Sequence, residues 1–252
     1  MTENTTTTSA PSGRAAGTVA LISDAAQGMG ASHARVLARA GASIVIGDLQ
    51  QEFSSALATE INEELGREAA CFAPLNVTRF EDWTAAVVLA VATFGKLDVL
   101  VNNAGIYTPD SAAEASVEDW QRTIDIDLTG TFLGMRAAVP ELKKNETSSI
   151  INVSSIAGLV GFKNHAAYSA AKWGVQGLTK TSAMDFGPDG IRVNSIDPGS
   201  VETPLTAGLK RRFGQVPSGR AAQVEEISSL VLHLVSDESR FVSAGNNLRQ
   251  DS

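Results

Sequence analysis

The chain has 252 residues, 43% hydrophobic but only 6% aromatic, and its 20 Lys and Arg against 28 Asp and Glu give a formal charge of −8. That length can bury one large core, and with so few aromatics the filling must come from small and branched aliphatic side chains. The acidic balance, with no basic run beyond Lys210-Arg211-Arg212, argues against nucleic acid or an anionic membrane as a partner.

Residues 1–16 are rich in Thr and Ser, lack periodicity and read as a disordered tail, leaving 17–252 as a single domain. Six short runs with strand character follow: Val19–Ile22, Ser43–Ile46, Ala70–Leu75, Leu97–Val101, Ser149–Val153 and Ile191–Ser195. Helical patterns alternate with them at 29–40, 51–65, 80–94, 116–143, 167–186 and 224–236. Strand and helix in this alternation predict an α/β fold, a doubly wound parallel sheet with helices on both faces. Ligands of such sheets bind beyond the carboxyl ends of the strands. A further amphipathic helix is expected from Thr203 to about Val216, with Leu205, Leu209 and Phe213 on one face, as a lid over substrate. No apolar run approaches the roughly 18 residues of a membrane span and no signal peptide is evident. The lone Cys71 has no partner for a bridge, so a reducing, cytoplasmic setting is expected. His33, His165 and His233 are isolated from one another and from other ligands at metal spacing, so no metal site is expected.

Tyr168 and Lys172 are four residues apart within a predicted helix, which puts phenol and ammonium on one face with Cβ atoms about 5–6 Å apart. A free tyrosine titrates near roughly pH 10, and a cation within about 4–6 Å favours the phenolate. A general base works best when its pKa approaches the working pH, so the pair reads as a proton-transfer site. Ser155, after the fifth strand, can hold a reacting oxygen beside it. At the first strand-to-helix turn, Ser23-Asp24-Ala25-Ala26-Gln27-Gly28-Met29-Gly30 lets backbone N–H groups approach a pyrophosphate at a helix N-terminus. The second strand ends in Gly47-Asp48-Leu49, and a carboxylate at Asp48 can accept from both hydroxyls of an adenosine ribose while repelling a 2′-phosphate. NAD is therefore favoured over NADP.

With Asn102-Asn103-Ala104-Gly105 after the fourth strand and Pro198-Gly199-Ser200-Val201-Glu202-Thr203 after the sixth, these motifs stand in the order and spacing of the short-chain dehydrogenases/reductases, which the chain resembles from about Gly17 to Gly245. The stretch from Ile150 to Thr206 is similar to the bacterial hydroxysteroid dehydrogenases of that family. The resemblance implies a single Rossmann-type domain with Tyr168 as general acid/base, Lys172 as its partner and ligand of the nicotinamide ribose, and Ser155 orienting the substrate oxygen. It also implies that Ser23, Gln27, Gly28, Met29 and Gly30 hold the pyrophosphate turn, and that Asp48 and Leu49 meet the adenosine ribose. Asn76 and Val77 would flank the adenine, and Asn102, Ala104 and Gly105 would line the cleft. Pro198, Gly199, Val201 and Thr203 would hold the nicotinamide end. The family helices around Tyr168 form subunit interfaces, implying a homo-oligomer, a tetramer or a dimer.

Three positions depart from the family pattern. Asp24 stands where the turn has glycine; a carboxylate about 6 Å from a phosphate would repel it by roughly 2–3 kcal/mol at an effective dielectric of 20. Asp127 replaces an asparagine of the family's proton path, and is carried as a catalytic candidate that accepts hydrogen bonds but, ionised, cannot donate them. The chain ends Asn246-Asn247-Leu248-Arg249-Gln250-Asp251-Ser252, a poor last strand by propensity. The expected activity is NAD-dependent interconversion of a secondary alcohol and a ketone on a hydrophobic small molecule such as a steroid or terpenoid, with Ile156, Leu159, Val160 and Phe162 supplying apolar surface. The alternatives are a weakly catalytic or non-catalytic dinucleotide-binding protein and an NADPH-dependent ketoacyl reductase.

Overall fold

A computed structural model describes residues 13–207 and 218–244. The elements run β1 (Val19–Ser23), α1 (Gly28–Arg39), β2 (Ser43–Asp48), α2 (Gln51–Leu65), β3 (Ala70–Pro74), α3 (Phe80–Phe94), β4 (Val99–Asn102), α4 (Val117–Ile124), α5 (Gly130–Leu142), β5 (Ser148–Val153), α6 (Ala166–Phe186), β6 (Ile191–Ile196) and α7 (Val224–Val235). The six strands form one parallel sheet in the order β3-β2-β1-β4-β5-β6.

Strand alternation explains how one sheet feeds two cores. Ala20 and Ile22 of β1, with Ile44, Ile46, Val101 and Ile151, face Leu37 of α1, Ile61 of α2 and Val231 of α7. The intervening Leu21, Val45, Leu100 and Ile150 face Trp83 of α3 and Met135 and Leu142 of α5. Every residue of β1 and β5 is buried, as a sheet covered on both faces requires. The order reverses between β1 and β4, so the turns leaving these two strands open a crevice at the carboxyl edge.

Two expectations change. The predicted helix 116–143 runs without a gap from Val117 to Leu142 but carries, between α4 and α5, a five-residue π turn, Asp125–Thr129, that turns Asp127 into the interior. The expected tail boundary also moves. Residues 1–12 lie outside the described residues, but Ala15 is buried, its N–H bonds the Ala40 carbonyl at 2.9 Å, and Arg14 pairs with Glu238, so 13–16 belong to the folded body. Of the expected lid helix, Pro204–Thr206 forms a 3-10 turn, while Leu209 and Phe213 lie outside the described residues, as does the terminal stretch from Asn246.

Candidate active site

The crevice is a cavity of about 350 Å3 lined on one side by Asp24, Gln27, Gly28 and Met29 and on the other by Tyr168, Lys172 and Ser154. Its first wall is the turn between β1 and α1. Ser23 Oγ accepts from the N–H groups of Asn103 and Ala104 at 3.0 and 3.1 Å, and Asn103 Nδ2 donates to the carbonyls of Ser23 and Asp24 at 3.1 and 3.0 Å, lacing this turn to the one leaving β4. Asp24 has φ 52°, a left-handed backbone that costs a residue with a side chain roughly 1 kcal/mol. A Cβ at Gly30 would lie 2.2 Å from the Asp24 carbonyl, so only glycine lets α1 start this close to the turn. No side chain caps α1 and its first turn holds no acidic residue, leaving its N–H groups free for an anion.

Asp48 is buried at the end of β2, with Oδ2 accepting from Ala26 N–H and Oδ1 from Gln50 N–H, each at 2.9 Å. Leu49 beside it is exposed. Beyond β3, Asn76 Oδ1 accepts from Thr78 N–H, and Val77 is buried against Gly130 at the start of α5. Asn102 requires correction. Its side chain turns away from the cleft, donating to Asn152 Oδ1 at 2.8 Å under Gly134 of α5, because alternation along β4 places it on the Leu100 face. Asn103 lines the cavity in its place.

The second wall centres on Lys172, buried in α6. Its Nζ donates to the Val153 carbonyl at 3.0 Å, lies 3.3 Å from Asp127 Oδ2 and 5.5 Å from the centre of the Tyr168 ring. Asp127 is wholly buried and its Oδ1 accepts from Ile106 N–H at 2.8 Å. A side chain at Gly105 would come within 3.0 Å of that carboxylate and 3.1 Å of the ammonium, so this glycine makes room for the pair. Burial alone would lower the Lys172 pKa, but Asp127 and Tyr168 outweigh it and drive the pKa upward, so the ammonium is firmly retained. Burial likewise raises Asp127, against the pull of Lys172 and the Ile106 N–H. Ser155 Oγ accepts from Ala157 N–H at 3.1 Å and keeps its own hydrogen to donate, while Ser154 Oγ is committed to the Lys172 carbonyl at 3.1 Å.

At the mouth, Thr203 lines the cavity and heads the Pro204–Thr206 turn; Val201 is buried and pairs with Ala222, and the Pro198 carbonyl accepts from Ile156 N–H at 3.0 Å. Gly199 has open space about it. Tyr107 was missed in the sequence. Its ring packs on His165 at 4.7 Å and edge-on to Tyr168 at 5.5 Å, and Phe162 lies 5.4 Å from His165. An aromatic just after Gly105, at a strand's carboxyl end, was the available signal. His33 is a core residue, Nδ1 bonded to Ser228 Oγ at 2.8 Å, its pKa pushed down to about 4 by burial. Among the described residues no three metal-binding side chains gather, and no helix is long and apolar enough to cross a membrane.

A family model described as enoyl-(acyl carrier protein) reductase matches residues 25–252. The chain is 62% identical over 256 residues to a trans-4-hydroxycyclohexanecarboxylate dehydrogenase of Sinomonas cyclohexanicum, covering 96% of this chain and 98% of that one. The chain belongs to the short-chain dehydrogenase/reductase family. It is also 48% identical over 230 residues to a 3-alpha-(or 20-beta)-hydroxysteroid dehydrogenase of Mycobacterium tuberculosis, covering 91% of this chain and 86% of that one. Identity to a cyclopentanol dehydrogenase of Comamonas testosteroni is 41% over 237 residues, covering 91% and 94%. This short-chain dehydrogenase/reductase is thus an oxidoreductase acting on CH–OH donors, interconverting alcohol and ketone with a nicotinamide cofactor. The cleft fits such a group: a glycine-only approach at Gly30 and free N–H groups of α1 at one end, a phenol and a buried ammonium at the other.

Proposed function

We propose that the protein oxidises a secondary alcohol on a saturated ring to its ketone, and runs the reverse reduction, using NAD(H). The observation that carries this reading is Tyr168 and Lys172 on one cleft with the Lys172 ammonium 5.5 Å from the Tyr168 ring. Gln27, Gly28, Met29 and the N–H groups of α1 would hold the pyrophosphate, and Asp48 would accept from the adenosine ribose. Lys172 would reach the nicotinamide ribose; Thr203, with Val201 behind it, would hold the carboxamide. When bound, the nicotinamide supplies or takes the hydride.

The chain's own residues then handle the proton. Ser155 donates its hydroxyl hydrogen to the substrate oxygen and orients it toward Tyr168. Tyr168, ionised beside the Lys172 ammonium, takes the alcohol proton as the carbonyl forms and is left a neutral phenol. The wall of Tyr107, Phe162 and His165 beside Tyr168 supports a flat-sided apolar ring as substrate, and the names of the relatives, hydroxycyclohexanecarboxylate, hydroxysteroid and cyclopentanol dehydrogenases, support an alicyclic one. Exposed Trp120, Phe132 and Trp173 support a homo-oligomer, a tetramer or dimer, and the single Cys71 supports a cytoplasmic setting.

The test is NAD-coupled oxidation of trans-4-hydroxycyclohexanecarboxylate, cyclopentanol and a hydroxysteroid by the full chain. On the best of these, Tyr168→Phe is expected to lose about 10²–10⁴-fold in kcat while retaining NADH binding. Unchanged turnover in that variant would defeat the assignment.

A further inference from the structure

Asp24 carries the single charged side chain of the turn between β1 and α1, and the fold dictates where that charge lies. Its carbonyl is tied to Asn103 Nδ2 at 3.0 Å and a Cβ at Gly30 would strike the same oxygen, so the residue is pinned on both sides. Its side chain lines the cavity together with Gln27, Gly28 and Met29 at the uncapped start of α1. No hydrogen bond or ion pair engages its carboxylate among the described residues. An unpartnered carboxylate therefore belongs to the same cavity as the free N–H groups of α1 that would attract a pyrophosphate.

We propose that Asp24 couples dinucleotide binding to uptake of a proton, so that the protein binds its cofactor tightly when Asp24 is neutral and weakly when it is ionised. This rests on the nicotinamide-dinucleotide reading above. The charged groups facing Asp24 are Asp48 from the end of β2, Asp127 from the π turn and Lys172 from α6, with the titratable Tyr168 phenol on the same cavity. The sides formed by α1 and by Thr203, Pro204 and Leu205 present no charge. Lys172 is already engaged by Asp127 and the Val153 carbonyl, so the balance around Asp24 is negative. The cleft walls around this solvent-exposed residue, then Asp48 and Asp127, push its pKa up to about 7, against the pull of Lys172.

The sign follows. Water reaches Asp24 in the open cleft. A bound dinucleotide displaces that water and adds pyrophosphate charge, and both effects raise the pKa further. Above about pH 7 binding then requires a proton to be taken up, and affinity falls by at most about tenfold per pH unit until direct repulsion sets the floor.

Binding of NADH to the full chain, read by fluorescence from pH 6 to 9 at constant ionic strength, tests this without any turnover. The dissociation constant should weaken by about tenfold or more over that range. Calorimetry at pH 8 in two buffers of different ionisation enthalpy should detect proton uptake. Asp24→Asn and Asp24→Gly should bind more tightly at pH 9, with most of the pH dependence and the proton uptake gone. Equal pH dependence in the unsubstituted protein and Asp24→Asn would overturn the inference and leave the cofactor reading intact. Failure of all three proteins, Asp24→Gly included, to bind NADH at millimolar concentration would overturn the cofactor reading and the inference with it.

Discussion

Replacing Asp127 by asparagine should move the pH dependence of alcohol oxidation to lower pH. Asp127 Oδ2 is 3.3 Å from Lys172 Nζ, which is 5.5 Å from the Tyr168 ring centre, so the carboxylate lies within about 9 Å of the ring. It therefore cancels part of the field by which the ammonium favours a phenolate. At that distance and an effective dielectric of 20, the interaction of one negative charge with another is worth about 2 kcal/mol. Asp127 is fully buried, so salt screens little of this. The amide is nearly isosteric and its oxygen can still accept from Ile106 N–H. Oxidation needs the deprotonated base, so the ascending limb of kcat against pH, measured with NAD+ and the best alicyclic alcohol, should shift to lower pH. A second effect has its own direction: without Asp127 the largest upward push on Lys172 is lost, with Tyr168 and Asp24 left to oppose burial, so the charge of Lys172 should be lost at lower pH and the profile should narrow from the alkaline side. An ascending limb that stays in place or moves upward would refute the view that Asp127 offsets Lys172.

Two further substitutions probe the cofactor end and the core. Asp48→Asn removes the negative charge while leaving an acceptor for one of the two turn N–H groups now held at 2.9 Å. Parallel NADH and NADPH titrations should show a strong preference for NADH in the unsubstituted protein that narrows by about tenfold or more in the variant, and an unchanged ratio would dismiss Asp48 as the discriminator. Trp83 is 1% exposed, its Nε1 donates to the Val77 carbonyl at 3.0 Å and its ring backs Gly134. Trp83→Ala should therefore lower unfolding free energy in urea by about 3–5 kcal/mol, and a loss under about 1 kcal/mol would mean that the α3–α5 core closes over the void.

The parallel sheet was readable because buried strands between helices leave uninterrupted apolar runs, such as Val19–Ile22 and Ile44–Ile46, with glycine at the helix ends. α2 and α3 end where Gly66 and Gly95 take φ 61° and 85°, a conformation that stops a helix almost independently of tertiary context. The π turn was not readable. Nothing in Asp125-Ile126-Asp127-Leu128-Thr129 interrupts helical periodicity, and the contacts that the turn gives Asp127, with Lys172 and the Ile106 N–H, lie across the fold.

Parity decides the remainder of the site. Asn102 and Asn103 are chemically identical neighbours, yet along a strand one side chain faces α5 and the next faces the crevice, so composition could not separate them whereas the alternation from Leu100 could. The same reasoning explains why Asp24 and Asp127, remote in sequence, both act on Lys172. One leaves β1 and the other, on the π turn after α4, reaches the loop leaving β4 through the Ile106 N–H, and β1 and β4 are neighbours at the point where the sheet order reverses. A parallel sheet that gathers its strand ends at one crevice also gathers whatever charges those ends carry. Asp24 and Asp127 therefore both bear on the Lys172 ammonium, and on the inference proposed above the pH at which this protein binds its cofactor should be a property of that cluster.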